Sequence, residues 1–196
     1  MPGFGDHTLY VLRHGECEHN VAGWIGSHND SPLTALGRQQ ARANARLLRE
    51  IAGDVSALDF FASPLHRACV TMELIRDALG LPAGGYRADH RLMEMHTGDH
   101  IGLRFGDIPE DHHIPFRADP WGAKRPGGES QADVFARAGR FLEGLSRDSV
   151  IVSHGVTTVA IRAQYLGLSP QEALRYHQPN AGLLRLSAGS ESFFSE

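Results

Sequence analysis

The chain has 196 residues, with 19 basic and 23 acidic side chains that give a net charge of −4 when histidine is neutral. Its length suits one domain with a real core, and 41% hydrophobic with 21% charged residues excludes a disordered acidic chain and a collagen-like repeat. We expect no membrane span, because no apolar run approaches the roughly 20 residues required. We expect no secretory signal, because no basic region precedes an apolar stretch.

Charge and two residue types narrow the chemistry further. The negative balance gives no general attraction to nucleic acid or to anionic membrane, so an acidic substrate would need a local basic pocket. The two cysteines, Cys17 and Cys69, are too few for a disulfide framework and favour a reducing cytoplasm. Twelve histidines are a high share, and histidine binds metals, transfers protons and carries phosphoryl groups.

The chain alternates short β-rich runs with segments of helical periodicity. In its first half we predict a strand over residues 8–12, a helix over 35–51 capped by Thr34, a strand over 58–62, a helix over 65–79 and a short strand over 87–93. In its second half we predict a helix over 129–145, a strand over 149–152, a helix over 156–166, a short helix after Ser169 to about 175, and strands over 183–186 and 192–194. This alternation predicts an α/β fold with a largely parallel sheet.

The proline-rich stretch 95–128 between these halves has no regular periodicity. An unpatterned segment of this length is unusual inside a compact domain and is typical of a lid or a binding loop. No internal repeat, low-complexity tract or interdomain linker interrupts the chain. We therefore expect a single domain over residues 1–196, with a lid or insert at about 95–128.

Three of the predicted strands end in residues of unusual chemistry. The first ends at Arg13 and His14, and the second leads to Arg67, one turn into the next helix. The third ends at His154, and Gly155 then opens a helix whose first N–H groups are free to bind an anion. Ligands of open α/β sheets bind at the carboxyl ends of the strands. If these strands are parallel, two histidines and two arginines meet at one edge of the sheet.

That set of side chains suits a phosphate group. Arginine presents a planar fork of donors to phosphate oxygens, and positioned cations stabilise a phosphoryl group in transfer. A histidine with a free ring nitrogen can attack phosphorus, and a carboxylic acid such as Glu94 can protonate the leaving oxygen. Taken singly, each residue has an ordinary alternative as a packed or surface histidine, a solvated Arg67 or a loop carboxylate.

Short motifs recur in order from about Leu9 to Leu186. They are residues 12–16 with Asn20; residues 30–34 with Leu36 and Gly37; residues 63–65 with Arg67; Leu92, Glu94, Gly98, Gly102 and Leu103; residues 126–130 with Arg137; and residues 152–155. Together they resemble the histidine phosphatase superfamily, in its phosphoglycerate mutase-like branch. The resemblance implies an α/β three-layer sandwich, with a mostly parallel central sheet flanked by helices.

The resemblance also implies a role for each reactive side chain. His14 is the expected nucleophile, which becomes phosphohistidine. Glu94 is the expected proton donor to the leaving group and later the base that activates water. Arg13, Arg67 and His154 are expected to line the phosphate pocket. The resemblance implies no metal and no other cofactor, because these cationic side chains supply the positive charge.

The expected substrate contacts lie in two further places. Asn20, Gly26 and Ser27 follow the first strand, and Gly155 and Val156 open the helix after the last catalytic strand. The expected partner is a small phosphorylated metabolite, with no nucleic acid and no membrane. The resemblance also favours a homodimer.

The motifs depart from the family pattern at two points. Trp24 and the pair Gly26-Ser27 stand where many relatives have Arg and Gln-Gly, which suggests that the far end of the substrate differs. Cys17 stands where Thr or Ser is common. A thiol beside a phosphate site can be oxidisable, but a buried small side chain is the favoured interpretation.

We expect a metal-independent phosphomonoester hydrolase, with a cofactor-dependent phosphoglycerate mutase as the alternative. Thr97 stands where mutases have Tyr, and the chain is shorter than theirs. Lys124 and Arg125 keep some basic character near the expected lid, which leaves the mutase open.

Two alternatives belong to different classes of protein. A His-rich metal-binding protein would use His96 and His100, four apart, or the adjacent His112 and His113, but glycines and prolines disfavour a helix there and no familiar zinc spacing occurs. A non-catalytic phospholigand-binding protein would need a damaged nucleophile or acid, and both are present. The roles of these four histidines and of Trp24 stay open.

Overall fold

The computed structural model describes residues 7–195, and its centre is a mixed sheet of six strands. The strands are β1 (Leu9–Arg13), β2 (Asp59–Ala62), β3 (Arg87–Ala88), β4 (Ser149–Ser153), β5 (Leu183–Ser187) and β6 (Ser190–Phe194). Their order across the sheet is β3-β2-β4-β1-β5-β6. The first four of that order are mutually parallel, whereas β5 runs antiparallel to β1 and β6 antiparallel to β5.

Helices cover both faces of this sheet. They are α1 (Glu18–Ala22), α2 (Ala35–Ala52), α3 (His66–Ala78), α4 (Ile114–Ala118), α5 (Gln131–Leu142), α6 (Gly155–Leu166) and α7 (Pro170–Ala173). One apolar core joins α2 and α3 to one face of the sheet, and a second joins α5 and α6 to the other. The expected α/β three-layer sandwich is therefore confirmed.

Strand β1 shows why the cores lie on opposite faces. Leu9 and Val11 point into the core beneath α5 and α6, whereas Tyr10 and Leu12 point into the core beneath α2 and α3. Successive side chains of a strand alternate between faces, and a parallel strand covered on both sides is apolar throughout. The predicted helical stripe of Ala41, Ala45 and Leu48 is fully buried in the core beneath α2 and α3.

Most predicted elements are found within a few residues of their predicted bounds, and Thr34 caps α2 through a bond from the N–H of Gly37 (3.0 Å). The strand predicted over 87–93 is wrong beyond its first two residues. There the carboxylate of Asp89 accepts the N–H of Arg91 (2.8 Å), and a 3-10 turn follows at His90–Leu92. The helix predicted over 129–145 is shorter: it begins at Gln131, because Ser130 caps its start, and it ends at Leu142.

The stretch 95–128 contains local structure that periodicity did not indicate. It forms 3-10 turns at Gly98–His100, Phe105–Asp107 and Glu110–His113, followed by α4. Backbone bonds between Ile25 and the residues Gly102 (3.0 Å) and Leu103 (2.8 Å) hold it against the loop after β1. Within residues 7–195, no helix has both the length and the apolar character needed to cross a membrane.

Candidate active site

The carboxyl ends of β1, β4 and β2 lie side by side, as the sequence predicted. The N–H of His14 donates to the carbonyl of Ser153 (2.9 Å), and the N–H of Ser63 donates to that of Val152 (3.0 Å). The rings of His14 and His154 come to lie 5.1 Å apart, centroid to centroid. Parallel pairing of neighbouring strands thus brings residues that are 140 positions apart to one place.

The ring of His14 is held with one nitrogen free for chemistry. His14 is 3% exposed, and its Nδ1 lies 2.8 Å from the carbonyl oxygen of Gly15. A carbonyl only accepts, so Nδ1 carries the proton and Nε2 carries a lone pair. Nε2 accepts a bond from Nε of Arg67 at 3.3 Å. Burial, followed by the charge of Arg67, holds the pKa of His14 well below its ordinary value, so the ring is neutral at neutral pH.

Two side chains hold the main chain of His14 and Gly15. The amide of Asn180 donates to the carbonyl of His14 at 2.7 Å, and the N–H of Gly15 donates to Oγ1 of Thr71 at 3.0 Å. The same Thr71 hydroxyl donates to the carbonyl of Arg67 at 2.7 Å, which couples α3 to the end of β1. These contacts fix the position of the His14 ring, because its main chain cannot shift without breaking buried hydrogen bonds.

Arg67 is buried to 4% exposure, and each nitrogen of its guanidinium has a protein partner. Its Nη1 pairs with Asp30 at 2.9 Å, and its Nη2 donates to the carbonyl of Ser27 at 2.7 Å. Asp30 also accepts the N–H of His66 (2.6 Å), at the start of α3. Sequence reasoning placed Asp30 only in a motif before the first long helix, and it missed its role as the counterion that orients Arg67.

Arg13 contributes a second guanidinium with few protein partners. Its Nη1 donates to the carbonyl of Gln178 (3.2 Å) and lies 3.4 Å from Nε2 of His177. Among residues 7–195 its buried Nε has no hydrogen-bond partner, and no carboxylate lies within ion-pair distance. Burial lowers the pKa of Arg13, although the charge of nearby Glu94 acts in the opposite direction. This cation is available to an anionic ligand.

His154 is completely buried next to His14. Its Nε2 lies 2.7 Å from Oγ of Ser63, whereas its Nδ1 has no hydrogen-bond partner within the described part of the chain. Burial, followed by the charge of Arg67, holds its pKa well below the ordinary value. Sequence reasoning did not single out Ser63 as a partner of this ring.

Glu94 meets the start of α6, as expected for a group that faces a ligand there. Its Oε2 accepts the N–H of Val156 (3.3 Å), and its Oε1 accepts the N–H of Met95 (2.8 Å). The ring of His28 contacts the carbonyl of Glu94 at 2.8 Å and fixes its main chain. A Cβ on Gly155 would lie 3.6 Å from Glu94, so the carboxylate packs closely against this helix end.

A cavity of about 310 Å³ opens onto these groups. Of the expected site residues it is lined by Arg13, His14, Asn20, Gly26, Ser27, Arg67, Glu94 and Val156. Gly155 lines an adjoining cavity of about 300 Å³, which shares Arg13 and Glu94 with the first. The buried ring of His154 lines neither cavity and contacts the site through His14.

Trp24 and Thr97, which the sequence singled out, also line the cavity. Three further lining residues, Met95, Phe105 and Gln131, were not predicted from the sequence. Phe105 is 64% exposed at the cavity mouth. No periodicity or spacing pointed to them, because they reach the site through the irregular stretch 95–128 and the first turn of α5.

The structure shows the surroundings of Cys17 and of two of the loop histidines. Cys17 is buried, and its thiol donates to Oδ1 of Asn20 at 3.2 Å, which fits the favoured interpretation of a packed small side chain. His100 contacts His112 and Arg125. Within residues 7–195, no group of three or more His, Cys, Asp or Glu side chains is placed to hold a metal ion.

The two neutral, buried histidines predict how stability depends on pH. The unfolded chain protonates His14 and His154 near pH 6.5, whereas the folded chain protonates them only at lower pH. The free energy of unfolding should therefore fall as pH drops below about 6.5, by up to ~1.4 kcal/mol per pH unit for each ring. Urea denaturation between pH 7.5 and 5.5 measures this slope.

A matched pair of variants isolates the contribution of one ring. His154→Gln should reduce the slope by about one proton, because the glutamine cannot titrate. His66→Gln, at an exposed position at the start of α3, serves as the control for a His-to-Gln change outside the site. Equal slopes for the wild type and His154→Gln would contradict the prediction.

Comparisons with known proteins agree with the fold. The model of the histidine phosphatase superfamily (branch 1) matches residues 9–195. A putative phosphoserine phosphatase 2 of Hydrogenobacter thermophilus is 32% identical over 190 residues, which cover 93% of this chain and 90% of that protein. A 2,3-bisphosphoglycerate-dependent phosphoglycerate mutase of Brucella melitensis is 31% identical over 201 residues, which cover 93% of this chain and 94% of that protein.

A solved structure extends the likeness to the whole fold. Mycobacterial glucosyl-3-phosphoglycerate phosphatase, in a structure with VO3, is 30% identical and superposes with a TM-score of 0.80 over 97% of each chain. The family model covers nearly all of the sequence, and the relatives share both length and arrangement. The chain belongs to the histidine phosphatase superfamily.

Proposed function

We propose that this chain hydrolyses the phosphomonoester of a small phosphorylated metabolite, without a metal ion, through a phosphohistidine on His14. The observation that carries the proposal is the lone pair on Nε2 of a buried, neutral His14, which lies beside the guanidinium of Arg67 and on the cavity wall. The named phosphatases among the relatives support hydrolysis.

In the first step, Nε2 of His14 attacks phosphorus and a P–N bond forms. The P–O bond to the alcohol breaks, and Glu94 gives its proton to the leaving oxygen, so that the alcohol departs neutral. Arg13 and Arg67 face the equatorial oxygens, where charge accumulates in a phosphoryl transfer. Arg67 needs no reorganisation for this, because Asp30 and Ser27 already hold its fork.

In the second step, a water molecule attacks the phosphohistidine from the side that the alcohol left. Glu94 accepts one proton from this water, the P–N bond breaks, and inorganic phosphate forms. The ring of His14 returns to its starting tautomer, which the bond between Nδ1 and Gly15 maintains throughout. His154 contacts the ring of His14 and does not line the cavity.

The remaining expected contacts complete the binding of the substrate. We assign Asn20, Gly26 and Ser27 to one wall, and Gly155 and Val156 at the start of α6 to the other. The stretch 95–128, which contributes Met95, Thr97, Phe105 and Arg125 to the cavity, is the proposed lid of a domain over residues 1–196.

Location and oligomeric state are part of the same proposal. The thiols of Cys17 and Cys69 are free, which supports a reducing, cytoplasmic location. A homodimer stays a prediction, and light scattering at micromolar concentration measures it. A non-catalytic phosphate-binding role would show tight phosphate binding without turnover of any phosphomonoester.

A phosphoglycerate mutase is the second candidate, because one relative carries that name. Thr97 is a small buried side chain on the cavity wall. It favours hydrolysis, because the family resemblance implies a Tyr at this position in the mutases. The deciding experiment compares phosphate release with interconversion of 3-phosphoglycerate, with and without a bisphosphate primer. Efficient, primer-dependent interconversion without phosphate release would overturn the hydrolase.

The proposed acid makes a distinct prediction about leaving groups. Glu94→Gln should lower kcat/KM for alkyl phosphates by about 10²–10⁴, because the alkoxide then leaves without its proton. For p-nitrophenyl phosphate the loss should stay within about tenfold, since p-nitrophenolate leaves without protonation. The ratio kcat/KM is the right measure, because it reports the first step alone.

The control for this prediction is Glu18→Gln, an exposed carboxylate on the nearby helix α1, for which no change is expected. Equal losses for the two kinds of ester in Glu94→Gln would remove Glu94 from the role of acid.

A further inference from the structure

The cavity holds a third arginine that the proposed chemistry does not use. Arg125 lies on its wall with Arg13 and Arg67. Its Nε donates to Nδ1 of His100 at 2.9 Å, and its guanidinium carbon lies 4.6 Å from the ring centre of Phe116. Within residues 7–195, neither of its terminal nitrogens has a hydrogen-bond partner, and no carboxylate forms an ion pair with it.

Two histidines hold this guanidinium in place. His100 is 1% exposed and accepts from Arg125 at Nδ1, so its proton sits on Nε2. That proton is donated to Nδ1 of His112 at 2.8 Å, and the two rings stack with an angle of 15°. The contacts form a relay in one direction, from Arg125 to His100 to His112. Burial, followed by the charge of Arg125, lowers the pKa of His100, which keeps the required neutral form.

A second polar group on the cavity wall also has no partner. Thr97 is 7% exposed on the cavity wall, and its buried Oγ1 makes no hydrogen bond within the described residues. The N–H of Thr97 donates to Oγ of Ser27 at 3.0 Å, which fixes the main chain of the residue while its hydroxyl makes no hydrogen bond. An idle buried hydroxyl and an unpaired, partly buried guanidinium both cost free energy unless a ligand satisfies them.

We propose that Arg125 and Thr97 form a second anion subsite, which binds a carboxylate on the alcohol part of the substrate. Arginine binds carboxylates through two parallel N–H bonds, and both terminal nitrogens of Arg125 are free for this. One cation matches the single charge of a carboxylate, whereas the phosphate end of the cavity has two cations. A volume of about 310 Å³ admits a phosphoryl group with a small hydroxy acid.

This inference rests on the proposed hydrolase, and it makes Arg125 a specificity-determining residue of that reaction. His100 and His112 are positioning residues that act through Arg125. The phosphoryl group itself meets Arg13 and Arg67, so the loss of Arg125 should affect recognition of the acid and leave the chemistry intact.

The test uses two esters that differ only in the carboxylate. 3-Phosphoglycerate carries it, and glycerol 3-phosphate has a hydroxymethyl group in its place. For Arg125→Met we expect KM for phosphate release from 3-phosphoglycerate to rise about 10- to 100-fold, the range for a hydrogen bond to a charged group. For glycerol 3-phosphate, kcat/KM should change by less than about threefold, as for a side chain that touches nothing on that ester.

The matched control is Lys124→Met, which removes the same charge one residue away. Lys124 is exposed and pairs with Asp133 at 2.8 Å, and it does not line the cavity. It should leave both esters unaffected. Equal losses for the two esters in Arg125→Met, or equal effects of the two variants, would overturn the subsite.

A separate pair of variants tests the hydrogen bonds that run from Arg125 through His100 to His112. His100→Leu removes the acceptor for Nε of Arg125 and should raise KM for 3-phosphoglycerate without lowering kcat. His100→Asn keeps an oxygen acceptor near the position of Nδ1 and should restore part of the affinity for 3-phosphoglycerate. A fall of kcat with both esters would show a structural role instead.

Calorimetric binding to His14→Gln separates this inference from the proposed function. The subsite predicts tighter binding of 3-phosphoglycerate than of glycerol 3-phosphate, and the difference should vanish when Arg125→Met is added. If the wild type released no phosphate from any ester, the hydrolase would fail, and this binding difference would still decide the subsite.

Discussion

His14→Ala should lose at least about 10⁴-fold in kcat on every phosphomonoester, because the nucleophile that carries the phosphoryl group is gone. Binding should survive in part, since Arg13 and Arg67 remain on the cavity wall. The measurement is initial phosphate release from a panel of phosphometabolites at saturating concentration. Activity that persists in His14→Ala would overturn the covalent mechanism whatever the substrate.

Trapping the intermediate gives an independent reading of the same prediction. Brief reaction with an ester that is radiolabelled in its phosphoryl group, stopped in alkali, should leave label on the wild-type chain. P–N bonds survive base and break in acid. The label should be absent from His14→Ala and present in His66→Ala, an exposed histidine just before Arg67. Label in His14→Ala would assign the phosphoryl group to another residue.

Gly37→Ala should lower the free energy of unfolding by about 3 kcal/mol or more, the upper range for overpacking. A Cβ at Gly37 would lie 2.0 Å from the carbonyl oxygen of Glu16, and one at Gly15 would lie 2.3 Å from the carbonyl oxygen of Gly37. Both neighbours are backbone, so a segment must move. The main chain beside His14 would move with it, and kcat/KM should fall by about tenfold or more.

The melting temperature and the urea midpoint measure this loss, with an expected fall of roughly 6–12 °C in Tm. Gly139→Ala is the matched control, because it is also a helical glycine whose close neighbour is only the end of the Gln164 side chain, at 2.8 Å. Helix propensity favours alanine over glycine by up to about 1 kcal/mol, so this control should stay within that amount. A neutral or stabilising Gly37→Ala would contradict the packing argument.

The reactive residues could be predicted from the sequence wherever the signal is local. His14 and His154 follow directly on apolar strands, and parallel pairing then places them together without further information. The helical stripe of α2 is equally local, because burial of one face requires a period of 3.6 residues. The family resemblance, now confirmed, rests on the same short motifs.

The contacts that orient these residues could not be predicted in this way. Asp30 reaches Arg67 from 37 positions away, and nothing in the intervening sequence marks the pair. Arg125 and His100 meet across an irregular stretch without periodicity. The end of β3 was misjudged for a related reason, since the hydrogen bonds that Asp89 accepts from Arg91 outweigh β propensity.

The position of β1 in the sheet has a consequence for how the protein folds during its synthesis. β1 lies between β4 and β5, and Leu9 pairs with Ser149, 140 positions later, and with Leu186. At a synthesis rate of about 5–20 residues per second, this apolar strand waits roughly 7–28 seconds for its first neighbour. The nucleophile at its end is the first part of the site to be made, yet it is assembled only when almost the whole chain exists. Folding therefore depends on long-range pairing, which makes it slower than folding through local contacts.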